Sequence, residues 1–285
     1  MILISKFPSA FPAGVQRKAV THMIRFDRYP GGRRCALTLS YDDAVRQDIR
    51  FIGLLDKYGL KSTFHINSAL LDSDRKVPLG DLARVYEGHE IAAHGAKHEF
   101  LSRIPYQNVI AEVYEDKKRL EDACGRIVRG MSYAYGDYTE PVIAALRACG
   151  IDYARTTRPV GNLLFPENFL AWHPTCHHNQ ALAVAESFMQ RKTAGALLYV
   201  WGHSYEFDNG DGWERIEAFC KTVSGDSEIW YATNAEIFDY ITALRALKLS
   251  ADNKTVYNPS ALTVWFTDGG REYSVGGGET LRIGQ

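Results

Sequence analysis

A chain of 285 residues, 46% hydrophobic and 24% charged, is long enough to bury the core of one large α/β domain and ordinary for a globular protein. Its formal charge of −1 gives no electrostatic footprint for nucleic acid or an anionic membrane, and no apolar run approaches the roughly 20 residues of a membrane span. The opening Met1-Ile-Leu-Ile-Ser5 is too short and wrongly flanked for a signal-peptide core, so the expected location is the cytoplasm.

Along the chain, an N-terminal arm (1–32) precedes seven apolar runs of strand length, at 35–40, 62–67, 89–93, 127–133, 151–154, 196–201 and 228–232. Helical patterns lie between them. Val45, Ile49, Ile52 and Leu55 mark the first, and Val109, Val113 and Leu120 another. Ile237, Tyr240, Ile241, Leu244 and Leu247 mark the clearest, opened by the capping box Thr233-Asn-Ala-Glu236. Strands alternating with helices predict a mostly parallel sheet, open or closed into a barrel, over a catalytic domain at 33–248. The tail, 249–285, reads as a small β appendage. Leu262-Thr-Val-Trp-Phe-Thr267, the turn Asp268-Gly-Gly270 and Tyr273-Ser-Val275 form a hairpin, and Gly276–Ile283 adds one more strand. Trp265 could stack on a sugar ring, but about 30 residues favour packing on the barrel or on another subunit.

The chemistry concentrates where strands end. Ser40-Tyr-Asp-Asp-Ala44 closes the first run with two adjacent carboxylates, at the end of a strand where α/β folds build their sites. Asp42 and Asp43 also suit the N-cap of a helix starting near Val45. His94 and His98, at i and i+4, share one face of a helical turn. One carboxylate with two imidazoles can hold a divalent metal, leaving the other carboxylate free as a base. His89-Glu90 does not continue this pattern: a zinc-protease motif needs histidine at 93, which is Ala93, so the pair caps its strand. His203 follows the strand ending at Trp201 and shares the face of Asp42. Trp172-His-Pro-Thr-Cys-His-His178 suggests a second metal site, yet adjacent histidines point apart. It reads instead as a substrate-facing loop, with Trp172 or His177 lining the cleft and supporting His203. The aromatic cluster Trp172, Trp201, Tyr205 and Phe207 suits the apolar faces of a small sugar ring. The five cysteines (Cys35, Cys124, Cys149, Cys176, Cys220) are odd in number and widely spaced, which argues against a disulfide framework. They read as small buried hydrophobes.

In this order the motifs resemble the polysaccharide deacetylase family, the NodB-homology carbohydrate esterases and amidases, from about Arg34 to Ile241. Ser40–Ala44 stands where the family usually has Thr-Phe-Asp-Asp-Gly. His94-Gly-Ala-Lys-His98 matches the two-histidine motif, Ser132-Tyr-Ala-Tyr-Gly-Asp137 the third and Leu198–His203 the last. The resemblance implies a distorted or incomplete (β/α) barrel of about seven strands. It makes Asp43, His94 and His98 the ligands of one divalent ion, zinc by default, with cobalt, nickel or manganese as alternatives. Asp42 becomes the catalytic base, His203 the general acid, and the backbone at Tyr135-Gly136 part of the oxyanion site. Two departures stand out. Gly95 replaces a serine or threonine, and Ser132 occupies the place of the arginine that orients the base. Arg129 points elsewhere, so Arg155 or Arg158 could substitute, with Arg155 also near substrate. The expected function is removal of acetyl groups from a carbohydrate, N-acetyl ahead of O-acetyl. The alternatives are an amidohydrolase of cyclic amides or ureides, as in allantoinase-like relatives, and an inactive carbohydrate-binding barrel. The expected partner is a carbohydrate or small amide, with a homo-oligomer left open.

Overall fold

The computed structural model describes residues 23–284, so most of the expected N-terminal arm lies outside the described residues. The short strand β1 (Ile24–Arg25) leads into β2 (Cys35–Asp42), α1 (Gln47–Tyr58), β3 (Thr63–Ile66), α2 (Leu82–Val85) and β4 (Glu90–Ala93). Then come α3 (Tyr106–Cys124), β5 (Gly130–Ser132), α4 (Glu140–Ala148), β6 (Tyr153–Arg155), β7 (Cys176–His177), α5 (His178–Arg191) and β8 (Ala196–Gly202). The domain finishes with α6 (Gly212–Val223), β9 (Ile229–Tyr231) and α7 (Asn234–Ala246). All seven expected strands are present, and β7 is an eighth, drawn from the stretch read as a loop.

These strands form one curled parallel sheet in the order β6-β5-β4-β3-β2-β8-β7. β2 is its axis and all eight of its residues are buried. Cys35, Leu37, Leu39 and Tyr41 pack outward under the helices, while Thr38, Ser40 and Asp42 face the interior. β9 distorts the barrel by pairing with Cys35–Leu37, at the opposite end of β2 from the Ser40–Asp42 stretch that pairs with β3. The two outer strands, β6 and β7, do not pair with each other. The chain just before β7 spans the gap: Trp172 N–H donates to Ala154 O at 2.9 Å and Thr156 N–H to Trp172 O at 3.0 Å, before Cys176 and His177 pair with β8. A hydrogen-bonded polar column fills the interior. Glu90 accepts from Thr63 Oγ1 at 2.7 Å, Thr63 Oγ1 accepts from Asn234 N–H at 2.9 Å, and Asn234 Nδ2 donates to Tyr199 OH at 2.7 Å.

One expectation is corrected here and another holds. Helix α1 starts at Gln47 and turns Asp48, Phe51, Ile52 and Leu55 inward, leaving Ile49 51% exposed. Val45, Ile52 and Leu55 are buried as expected, and only Ile49 fails, because the carboxylate of Asp48 takes the inward position. His89 and Glu90 lie at the amino end of β4, where His89 accepts from Ser62 N–H and Glu90 from Ala235 N–H at 2.9 Å, as strand-capping groups do.

The tail forms two small antiparallel sheets. β10 (Lys248–Leu249), β11 (Thr255–Tyr257) and β14 (Thr280–Arg282) make one; β12 (Val264–Asp268) and β13 (Arg271–Val275), with β1 at the edge, make the other. The β12–β13 turn is Gly269-Gly270, with φ of 57° and 85°, the conformation a two-residue hairpin needs and glycine supplies. Tyr240 OH of α7 donates to Arg28 O and accepts from Trp265 N–H, both at 3.0 Å, so the appendage packs on the barrel through a shared aromatic core. No helix among the described residues is long and apolar enough to cross a membrane.

Candidate active site

At the carboxyl ends of β2, β3 and β4 the backbone turns sharply. Asp43 and Ala44 have φ of 85° and 49°, and Asp43 N–H donates to His65 O at 2.9 Å. Neither aspartate caps α1, whose N-cap position is Arg46. The segment from His94 to His98 is likewise not helical. Gly95 has φ of 79° and His98 φ of 60°, so the two imidazoles meet across a tight turn. Gly95 is suited to that backbone, and a Cβ on it would lie 3.3 Å from Glu112 Oε1.

His94 is fixed from two sides. Its backbone N–H donates to Asp116 Oδ2 at 2.9 Å, and its Nδ1 lies 2.8 Å from Ser132 O. A carbonyl only accepts, so the proton sits on Nδ1 and the Nε2 lone pair is free. Asp43, His94 and His98 each bring a donor atom to within 4.8 Å of the others. A carboxylate and two imidazoles at that separation fit a divalent first-row ion with open coordination positions. Burial, then His94, lowers the pKa of His98, which favours the neutral ring a metal requires.

Asp42 stands outside that set. It is ion-paired and hydrogen-bonded to Arg155, accepts from Ser132 Oγ at 3.1 Å, and faces His94 Nε2 at 3.6 Å and His203 Nε2 at 3.9 Å. Burial works against its charge, but Arg155 and then the neighbouring histidines outweigh it and hold the carboxyl well below the usual range. Arg155 is fully buried, donates to Ser40 Oγ at 2.9 Å and lies 4.4 Å over the Trp201 ring. It sits beside Ser132 in the β5–β6 register, so the guanidinium has moved one strand over from the third motif. Arg158 is exposed, and Arg129 pairs with Asp152 and Asp239. The expectation that Arg155 contacts substrate is therefore corrected: its donors are committed to Asp42, Ser40 and Thr156.

On the other side, the turn Ser204–Asp208 returns Glu206 to His203, with Oε1 2.7 Å from Nδ1. Burial opposes the imidazolium, but the bond to Glu206 and the charges of Asp42 and Asp43 raise the His203 pKa. His177 and Trp201 flank it, and Tyr205 packs 5.1 Å from its ring. Tyr135, at φ 58°, stacks on Phe100 at 3.8 Å and meets His98 edge-on. Tyr135 and Tyr205 are 55% and 42% exposed, the open aromatic faces beside the two histidines.

Trp172 is placed otherwise than expected. It is 1% exposed among Tyr153, Phe169 and Tyr199, held inward by its bonds to β6, and cannot line the cleft. Phe207 is also buried, packed on Tyr41, Phe51 and His178, so the expected four-ring cluster reduces to Trp201 and Tyr205. Cys176 is buried, and burial pushes its thiol up to about 12.

Three acidic residues of the site escaped the motif reading. Asp116 also accepts from Ser68 N–H at 2.8 Å and falls at the missing step of the apolar series Val109, Val113, Leu120. Asp48 accepts from Ser204 Oγ and from Tyr86 OH at 2.8 Å, tying α1 to the residue after His203. An acid in an apolar stripe was a legible signal for both. Glu206 offered none beyond its i+3 spacing from His203.

A curled parallel sheet whose strand ends gather a two-imidazole, one-carboxylate set beside an arginine-tethered carboxylate defines a (β/α) barrel with a candidate metal-dependent site. Residues 19–154 match the family model described as polysaccharide deacetylase, and the resemblance carried by the motifs is borne out. A chitin deacetylase of Amylomyces rouxii is 33% identical over 106 residues, 36% of this chain and 24% of that relative, so the match spans about a quarter of its length. Among solved structures, a Mycobacterium smegmatis protein assigned as a polysaccharide deacetylase superposes with a TM-score of 0.59 at 17% identity, covering 76% of this chain and 93% of that one. The Xyl-CE4 domain of a multidomain xylanase from the hindgut metagenome of Trinervitermes trinervoides gives 0.51 at 15% identity, over 73% and 91%. These likenesses bear on the fold.

Proposed function

We propose that this chain is a metal-dependent carbohydrate deacetylase that releases acetate from an acetylated amino sugar. The observation that carries this reading is the division of labour between two adjacent aspartates. Asp43 joins His94 and His98 in one donor set, while Arg155 holds Asp42 apart, facing His203. A divalent ion held by Asp43, His94 and His98, zinc by default, would polarise the acetyl carbonyl and acidify the attacking water. Asp42 takes the water's proton and, being ionised across the working range, is always an acceptor. Arg155 and Ser132 each hold one of its oxygens, which fixes its aim. His203 gives the leaving amine its proton from Nε2, with Glu206 fixing the ring through Nδ1. The backbone amide of Tyr135 serves the oxyanion. The Tyr135 and Tyr205 rings, with His177 and Trp201, offer the surface for the sugar.

The test is an acetate-release screen over N-acetylglucosamine oligomers, acetylxylan and small ureides. Asp42→Asn should lower turnover at least about 100-fold with bound metal retained. A variant keeping more than about a tenth of the rate defeats Asp42 as base, and turnover of ureides alone turns the reading to cyclic amides. Full metal occupancy in His94→Ala defeats the donor set.

A further inference from the structure

We propose that the same face carries a second cation site, built from His177, His203 and Glu206, and that a divalent ion seated there switches the chain off. One donor atom from each of these residues lies within 4.8 Å of the others. Glu206 is the hinge of the cluster: Oε1 is 2.7 Å from His203 Nδ1, while Oε2 is 3.5 Å from His177 Nε2 and 3.4 Å from His178 Nε2. Two imidazoles and a carboxylate offer the mixed nitrogen and oxygen set that first-row divalent ions accept, with His178 beside the same carboxylate. The three donors are 21–25% exposed, so an ion reaches them from solvent and keeps positions open.

The scaffold around the cluster is built to hold it. Trp201 packs edge-on against both His177, at 5.0 Å, and His203, at 5.8 Å. Gly202 leaves room for His178, since a Cβ there would lie 1.9 Å from His178 Nδ1. That space lets the first residue of α5 rest beside Glu206. The site is weaker than the one at Asp43, His94 and His98 because the His177 ring must change tautomer to bind. His177 Nδ1 accepts from Asn179 N–H at 3.4 Å, which places the ring proton on Nε2, and binding an ion at Nε2 gives up that contact. His94, in contrast, already presents a free Nε2.

The inhibitory half rests on the role proposed above for His203. An ion on Nδ1 displaces both the proton there and the bond to Glu206. The proton left on Nε2 belongs to a coordinated neutral ring, a far weaker acid than imidazolium, so the leaving group is no longer protonated.

The experiment titrates the metal-depleted full chain with zinc, reading stoichiometry by calorimetry and by elemental analysis after equilibrium dialysis. Wild type should take up two ions in two resolved steps. His177→Ala and Glu206→Gln should each take up one, and His94→Ala should also take up one, with thermal melts showing which variants are folded. Acetate release should rise to one equivalent of zinc and fall beyond it in wild type. His177→Ala, scaled to its own maximum, should show no fall. Saturation of wild type at one ion, or two ions in folded His177→Ala and Glu206→Gln, overturns the site. Two ions bound with undiminished turnover overturns the switch. Stoichiometry is read without substrate, so absence of deacetylation in every arm defeats the function proposed above and leaves the site to the binding result.

Discussion

Arg155→Met isolates the contact on which the base depends. Asp42 and Arg155 are 2% and 0% exposed, so removing the guanidinium leaves a buried carboxylate without its principal counter-charge. Breaking such a pair costs about 3–5 kcal/mol, because desolvation is no longer offset. Asp42→Asn leaves the reverse, a buried guanidinium facing an amide, at a similar cost of about 3–5 kcal/mol. Independent effects would sum to about 6–10 kcal/mol in the double variant. If the two charges answer each other, Asp42→Asn/Arg155→Met instead costs no more than the worse single variant, since no charge is then stranded. Urea unfolding followed by tryptophan fluorescence measures all four proteins, and kcat/KM of Arg155→Met should fall about 100-fold or more as Asp42 loses its aim. An additive double variant, or a cost below about 1 kcal/mol for Arg155→Met, would refute the claim that this arginine replaces the one missing at Ser132.

Burial pushes Asp48 from 3.8 up to about 7, so between those values the folded chain binds a proton that the unfolded chain has lost. The stability this gives is complete below about pH 4 and gone by about pH 7, up to about 4 kcal/mol. Urea midpoints of Asp48→Asn should therefore gain on wild type as pH rises from 4.5 to 8, and parallel curves would count against it. Asp116→Ala strands the buried amides of His94 and Ser68, at about 1–3 kcal/mol each, and zinc affinity should fall about 10–100-fold as His94 loosens; unchanged zinc titrations would contradict this. Trp172→Ala should cost about 3–5 kcal/mol of stability with KM unchanged, whereas a raised KM at full stability would return this indole to the cleft.

Much of this was legible from residue order. The strands of the barrel and the hairpin turn at Gly269-Gly270 follow from patterns only a few residues long, whereas the choice of Asp43 to join His94 and His98 came from the resemblance of the motifs. What failed did so for want of tertiary context. The spacing of His94 and His98 suggested a helical turn, but positive φ at Gly95 and His98 brings the rings together another way. Trp172 looked like a cleft residue because its neighbours are histidines, yet its backbone pairs with β6 and turns the indole into the core. The choice between Arg155 and Arg158 needed the register of β5 and β6, which no local pattern encodes.

The crossing segment between β6 and β8 also bears on how the molecule fails under heat. There the wall is stitched by Trp172 to β6 and by Thr175 and the two residues of β7 to β8, rather than by one strand bonded along its length to both neighbours. Local opening begins where backbone bonding is sparse. Arg155 stands on one side of this segment and His177 on the other, so an opening here should loosen the tether of Asp42 before the surrounding helices unfold. The activity proposed above should therefore be lost on warming ahead of the helical circular dichroism signal and return on cooling, and parallel melts by acetate release and by ellipticity that coincide would contradict this.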